Sequence, residues 1–165
     1  MKQPVKQRGW RHKGERAKEP FHYTHCGLDD VYLLSGYEID ETPYGEGVSI
    51  KHVDDLHRAI GLYIVKNKKD LAGKEVRFLR HQIDLTQAEL AKFIGCSPQQ
   101  IARYEKGECE IPGAADRMLR LLYQDHIDGS GINVHELLVA LDGIDDLGVD
   151  RMTFERSNSK WREAA

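Results

Sequence analysis

The stretch TQAELAKFIGCSPQQIARYEKG, residues 86–107, constrains this chain most, because it carries the signals of two short helices joined by a tight turn. Thr86, followed three residues later by Glu89, forms a capping box that satisfies backbone donors at the start of a helix. Gly95 suits a turn that needs a left-handed backbone. Ser97 and the proline after it predict the start of a second helix, since proline's missing N–H costs nothing at the first helical position.

The apolar residues of this stretch fall where two crossing helices would face each other and their neighbours. Ala91 is small, so the two helices can touch at that position. The other apolar positions, expected to hold the pair on its surroundings, are Leu90, Ile94, Cys96, Ile101 and Tyr104.

Helical periodicity continues on both sides of the stretch, so we predict that residues 71–127 are helical throughout. The segment before it places an apolar stripe on one face, with Arg77 and Arg80 away from that stripe. The members of that stripe are Val76, Leu79 and Ile83. The stripe predicted after it consists of Ala115, Met118, Leu119 and Leu122.

The chain divides into four segments. Residues 1–20 form a basic flexible arm, and residues 21–65 a small α+β domain with strand-like runs up to about residue 50 and a helix over 53–65. TPYGEG within that domain is a turn. Residues 71–127 form the helical domain, and residues 128–165 an acidic C-terminal helix and a frayed tail.

Composition and charge are those of a globular protein in a reducing compartment. The chain is 40% hydrophobic and 31% charged, with a net charge of −3. No apolar run approaches the roughly 18–20 residues needed to cross a bilayer. The basic start has no apolar stretch behind it, so no secretory signal is expected. Three widely spaced cysteines make no disulfide framework. We expect a cytoplasmic protein with no membrane partner.

Residues 86–107 resemble the helix-turn-helix of the Cro/C1-type (XRE) regulators. Their pattern, T-Q-x-x-L-A-x-x-x-G-x-S-x-x-x-I-x-x-x-E-x-G, is met without gaps. The matching residues are Thr86, Gln87, Leu90, Ala91, Gly95, Ser97, Ile101, Glu105 and Gly107. Over residues 71–123 the chain is also similar to the MqsA-type antitoxin regulators, through GKEVRFLR and P-x-AADRMLRLLY. The resemblance implies a lambda-repressor-like helix-turn-helix bundle, so we expect a mainly α fold with a small N-terminal α+β unit.

The resemblance also places the second helix of the pair in the major groove of DNA. The residues expected to read bases are Gln99, Gln100 and Arg103, since glutamine pairs with adenine and arginine with guanine for ~1–3 kcal/mol of discrimination each. The residues expected to contact phosphates are Gln87, Ser97, Lys106, Arg77 and Arg80. Glu105 should have an internal hydrogen bond or ion pair, because phosphates would repel it.

The function implied is a dimeric repressor, often of its own operon. One short helix reads few base pairs, so a homodimer on a (pseudo)palindromic double-stranded operator is expected. The predicted dimer surfaces are residues 114–123 and a helix near 133–141. The alternative is an antitoxin that binds a protein toxin through residues 21–65, a segment that DNA binding does not need. The two roles are compatible.

Two interpretations of the basic arm stay open. With Arg8, Arg11 and Arg16 it could follow the DNA backbone or enter a minor groove. It could equally be a solvated tail.

Chemistry beyond DNA binding has little support in the sequence. His22, His25 and Cys26 are of the types that zinc prefers. The paired C-x-x-C motifs of the MqsA-type zinc module are absent, however, because Gly27, Leu28 and Asp29 follow Cys26. There is no nucleophile–base arrangement. We expect no metal, no cofactor, no catalytic residue and no enzymatic activity.

Overall fold

The helices lie in the middle of the chain, joined by short connections. The computed structural model describes residues 19–128 and 152–164. Its helices are α1 Val53–Asn67, α2 Gly73–Gln82, α3 Gln87–Ile94, α4 Pro98–Glu105 and α5 Gly113–Asp128. Its strands are β1 Phe21–His22, β2 Val31–Leu33, β3 Tyr37–Thr42, β4 Gly45–Ile50, β5 Met152–Ser157 and β6 Lys160–Glu163. The helix predicted near 133–141 and the arm with Arg8, Arg11 and Arg16 lie outside the described residues.

Helices α2 to α5 pack around one apolar core. Each contributes side chains at helical spacing that are wholly removed from solvent, among them Val76, Leu79, Leu90, Ile101 and Leu119. The stripe predicted for α5 is partly wrong, since Met118 is 39% exposed. The face of α5 that is buried instead carries Tyr123 and two charged residues, Asp116 and Arg120. In the described residues no helix is long and apolar enough to cross a membrane.

Arg120 joins α5 to the end of α1. Its guanidinium is fully buried and binds the Asp116 carboxylate, with Nε 2.5 Å from Oδ1. Its remaining N–H groups donate over 2.7–3.3 Å to the carbonyls of Ile64, Val65, Lys68 and Lys69. The last carbonyls of a helix have no partner within it, so Arg120 satisfies groups that would otherwise need water. The two helices are therefore held in one relative position.

Strands from both sides of the helical region form a single mixed sheet in the order β1-β2-β5-β6. Strands β2 and β5 run parallel, with Val31 opposite Met152. The prediction of a frayed tail is wrong for β6, because Trp161 is buried and its indole N–H donates to the Lys51 carbonyl over 3.1 Å. The α+β unit predicted over residues 21–65 therefore also contains strands that follow α5 in the chain.

Strands β3 and β4 form a separate antiparallel hairpin. The chain reverses between Thr42 and Gly45, as the TPYGEG segment predicts. Tyr44 at the tip is 100% exposed. The charged residues of the two strands are all acidic, namely Glu38, Asp40, Glu41 and Glu46. The base of the hairpin is fixed by Tyr37, whose ring centroid lies 4.9 Å from that of Phe21.

Candidate nucleic-acid interface

Helices α3 and α4 begin and end at the signals in the sequence. The Thr86 hydroxyl accepts the Glu89 N–H at 3.1 Å, and the Glu89 carboxylate accepts the Thr86 N–H at 2.8 Å. Gly95 ends α3 with a φ of 78°. The Ser97 hydroxyl accepts the Gln100 N–H at 3.2 Å, and a proline is the first residue of α4. The predicted capping box, left-handed turn and second cap are confirmed.

The end of α4 lies directly against the start of α2. At Gly73 an added Cβ would be 2.4 Å from the Tyr104 carbonyl oxygen and 2.8 Å from that of Glu105. Only a glycine allows the two backbones to approach this closely. The position of α4 therefore depends on Gly73 as well as on the buried faces of Ile101 and Tyr104.

Glu105 braces α4 from the inside. Its carboxylate accepts the Arg80 Nε–H at 2.5 Å and an Arg80 terminal N–H at 3.1 Å. The Gln87 amide donates to the same carboxylate at 2.8 Å, so α2, α3 and α4 meet at one side chain. Burial alone would raise the pKa of Glu105, but the bonds from Arg80 and Gln87 outweigh it and lower the pKa. The internal role predicted for Glu105 is confirmed.

This arrangement contradicts the predicted phosphate contact of Arg80. Its guanidinium is buried and binds Glu105, the Leu85 carbonyl at 2.7 Å and the His81 ring at 3.2 Å. Most N–H groups of Arg80 already have partners and the side chain is buried, so Arg80 stabilises the packing of the helices and is not available to a ligand. One amide N–H of Gln87 donates to Glu105, and its second amide N–H could donate to a phosphate.

The outer face of α4 carries the side chains predicted to read bases. Gln99 is exposed near the start of the helix, and the Arg103 side chain is 55% exposed one turn later. Gln100 is only half-buried, but its amide donates to the Cys109 sulfur at 3.2 Å, and it must release that bond to reach a base. Of the three predicted base-reading residues, Gln99 and Arg103 are therefore more exposed to solvent than Gln100.

Three of the other predicted phosphate contacts are exposed. Lys106, with its side chain 69% exposed, follows α4, and Arg77 is exposed on α2. Ser97 uses a lone pair to cap α4 and keeps its O–H free to donate. Each of these side chains therefore has a donor that solvent can reach.

The comparison with protein families identifies this arrangement. Residues 71–126 match a family model described as a helix-turn-helix domain. Helices α2 to α5 are thus similar to a helix-turn-helix domain over about a third of the chain. Neither the curated proteins nor the solved structures gave a match to the chain. Helix α4 occupies the place of the second helix of such a motif, and a domain of this kind suggests a DNA-binding regulator.

One acidic residue that was not singled out from the sequence, Glu108, lies close to two of the predicted DNA contacts. The Glu108 carboxylate lies 3.6 Å from Arg103 Nε and 3.9 Å from Lys106 Nζ. Glycine just after a helix turns the chain back over the last turn, and Gly107 does so here with a φ of 71°. An acid directly after such a glycine is the signal that could have indicated this contact.

The His and Cys residues before the helix-turn-helix domain do not converge on a metal. His22 Nε2 lies 2.5 Å from the Asp29 carbonyl oxygen, and its ring stacks on Tyr32. Cys26 donates weakly to the Tyr23 carbonyl at 3.7 Å. Over residues 19–128 and 152–164, no group of three or more His, Cys, Asp or Glu could hold a metal ion.

Proposed function

We propose that the protein is a sequence-specific DNA-binding transcriptional regulator of the XRE type, a dimeric repressor of its own operon. The observation that carries this proposal is the build of α4. Its inner face is buried, its end is braced by Glu105, and its outer face presents Gln99 and Arg103 to solvent. The repressor would act in the cytoplasm, and the proposal includes no catalytic step.

In this proposal α4 lies in the major groove, with Gln99 and Arg103 toward the bases. Gln99 pairs with an adenine and Arg103 with a guanine, each through two hydrogen bonds. Gln100 joins them once its bond to Cys109 opens. Ser97, Gln87, Lys106 and Arg77 contact phosphates, which sets the register without reading sequence.

Dimerisation would double the recognised sequence. The exposed Met118 on α5 supports a contact between two copies through residues 114–123. A two-fold dimer of such domains binds two half-sites about one turn of DNA apart, roughly 34–36 Å. The operator should therefore be (pseudo)palindromic.

Selection of binding sites from random duplex DNA by the full chain tests the proposal. We expect a two-fold symmetric consensus that also occurs upstream of the protein's own gene. Arg103→Ala should relax the preference at one base position per half-site, costing ~1–3 kcal/mol on the consensus. Lys106→Ala should weaken all duplexes about equally. No enrichment of any sequence by the wild-type chain would contradict the proposal.

A second candidate function is the neutralisation of a basic protein toxin, the role implied by the MqsA-type resemblance. The hairpin of β3 and β4 supports it, because its charges are all acidic and Tyr44 at its tip is wholly exposed. The test is co-expression with the product of the neighbouring gene. Growth arrest by that product, relieved by the wild-type chain and not by Tyr44→Ala with Glu41→Gln and Glu46→Gln, would support the role. Equal relief by both chains would place the contact elsewhere.

A further inference from the structure

We propose that Glu108 is a specificity-determining residue, which weakens contacts of Arg103 and Lys106 with DNA phosphates while leaving Arg103 able to read a base. This inference rests on the proposed DNA-binding function and deepens it. It depends on three side chains that meet just after the recognition helix.

The backbone fixes Glu108 over the last turn of α4. The Glu108 N–H donates to the Arg103 carbonyl at 3.0 Å, and the Gly107 N–H donates to the Tyr104 carbonyl at 3.0 Å. These two bonds form a Schellman motif, in which a left-handed residue folds the chain back onto the helix end. The Glu108 side chain is therefore positioned by the helix end itself.

The carboxylate approaches Arg103 from one particular side. Its Oε2 lies 3.6 Å from Nε, the nitrogen nearest the stem of the arginine. A guanine is read in the major groove by a pair of arginine N–H groups that bind O6 and N7. The two terminal nitrogens of Arg103 provide such a pair while Glu108 remains behind them. The acid is thus compatible with base reading.

The same carboxylate opposes contacts with the DNA backbone. Its Oε1 lies 3.9 Å from Lys106 Nζ, so one negative charge serves both cations. The three side chains are 49–69% exposed, so each pair is weak, but a phosphate near them would be repelled by Glu108. Sequence-independent binding depends on the number of phosphates that cations neutralise. Glu108 therefore reduces this component more than the base-specific one.

The test compares Glu108→Gln with the wild-type chain on two duplexes, the selected consensus and a random sequence of equal length. We expect the variant to bind the random duplex about three- to tenfold more tightly at low salt. Its affinity for the consensus should change less than about twofold, so the ratio between the two duplexes falls. The slope of log affinity against log salt concentration, measured on the random duplex, should become steeper by up to about the amount expected for one additional phosphate contact.

Two further variants separate this effect from net charge. Glu110→Gln removes the same charge two residues away, where the carboxylate forms no ion pair with Arg103 or Lys106, and it should change random binding much less. In a background of Arg103→Ala with Lys106→Ala, Glu108→Gln should lose most of its effect. Thermal unfolding of each variant checks that the fold is intact.

The inference is overturned if Glu110→Gln matches Glu108→Gln, if both duplexes shift equally, or if neither duplex responds. Failure of the proposed function is read from the wild-type chain alone, as absence of any preference between the two duplexes.

Discussion

Burial of an arginine is normally costly, and two of the arginines within residues 19–128 and 152–164 are buried, Arg80 and Arg120. Both are tolerated because their guanidinium groups meet a carboxylate and backbone carbonyls at hydrogen-bond distance. A buried pair of this kind is most sensitive to the removal of one member, since the remaining charge is then left without a partner.

Glu105→Ala should lower the free energy of unfolding by about 3–5 kcal/mol, because it leaves the Arg80 guanidinium buried without its carboxylate. Urea denaturation followed by circular dichroism measures the change. Glu110→Ala, an exposed acid on the loop after α4, is the matched control and should have little effect. Adding Arg80→Met to Glu105→Ala should recover part of the loss; a double variant no more stable than Glu105→Ala would contradict this explanation.

His57 gives the stability a dependence on pH. Its ring lies on α1 with Nε2 3.0 Å from the Tyr23 hydroxyl and Nδ1 3.4 Å from the Gln82 amide nitrogen. Burial lowers the pKa of His57 from 6.5, and Asp54 opposes this only in part. Below about pH 6.5 the unfolded chain therefore binds a proton that the folded chain does not.

Stability should thus fall as pH drops from 6.5 through the lowered pKa of His57. The melting temperature, measured between about pH 8 and pH 5, should fall less in His57→Gln than in wild type. His126→Gln, a change to an exposed histidine near the end of α5, is the control. Parallel curves for wild type and His57→Gln would rule out the role of His57.

At the scale of elements, the contact between α2 and α4 is sensitive to added volume. Gly73→Ala places a Cβ 2.4 Å from the Tyr104 carbonyl, so the two helices must separate. We expect a loss of roughly 1–3 kcal/mol in stability and weaker binding to the consensus duplex. Gly113→Ala at the start of α5 is the control, because its Cβ would meet nothing within 4 Å. Equal effects of the two substitutions would show that the contact is not tight.

The ends of α3 and α4 could be predicted from the sequence because capping is local. Thr86 with Glu89, Gly95 and Ser97 act on backbone groups within three or four residues of themselves. Long-range pairs leave no such signal. Helical periodicity places Arg80 on the polar side of α2, and its partner Glu105 is 25 residues away in the chain. The exposed Met118 arises similarly. Arg120 binds carbonyls at the end of α1, Asp116 binds Arg120 and the Leu71 N–H, and the two occupy the face that apolar residues would fill.

At the scale of the whole molecule, the sheet and the helices should unfold together. Arg120 fixes α5 to α1, and Trp161 in β6 bonds to Lys51 just before α1. In a Trp10→Phe background the fluorescence of Trp161 reports on the sheet, whereas circular dichroism at 222 nm reports mainly on the helices. We expect the two urea transitions to coincide.

Arg120→Met should lower the free energy of unfolding by about 3–5 kcal/mol, because it leaves Asp116 buried without its cation. Both transitions should therefore move to lower urea concentration. Two separate transitions in the chain with Arg120 intact would contradict the coupling. The sheet itself could not be predicted, because its strands are short and carry weak patterns, and because β2 pairs with β5 across more than 100 residues of intervening chain.

The parallel pairing of β2 with β5 also has a consequence for synthesis on the ribosome. Met152 is made about 120 residues after its partner Val31. At a synthesis rate of about 5–20 residues per second, roughly 6–24 s pass between the synthesis of β2 and that of β5. Helix α4 is complete well before that time, so a product cut short after α5 would contain the helix proposed to read DNA together with an open sheet edge. Unpaired edges favour aggregation and proteolysis, which would remove incomplete copies.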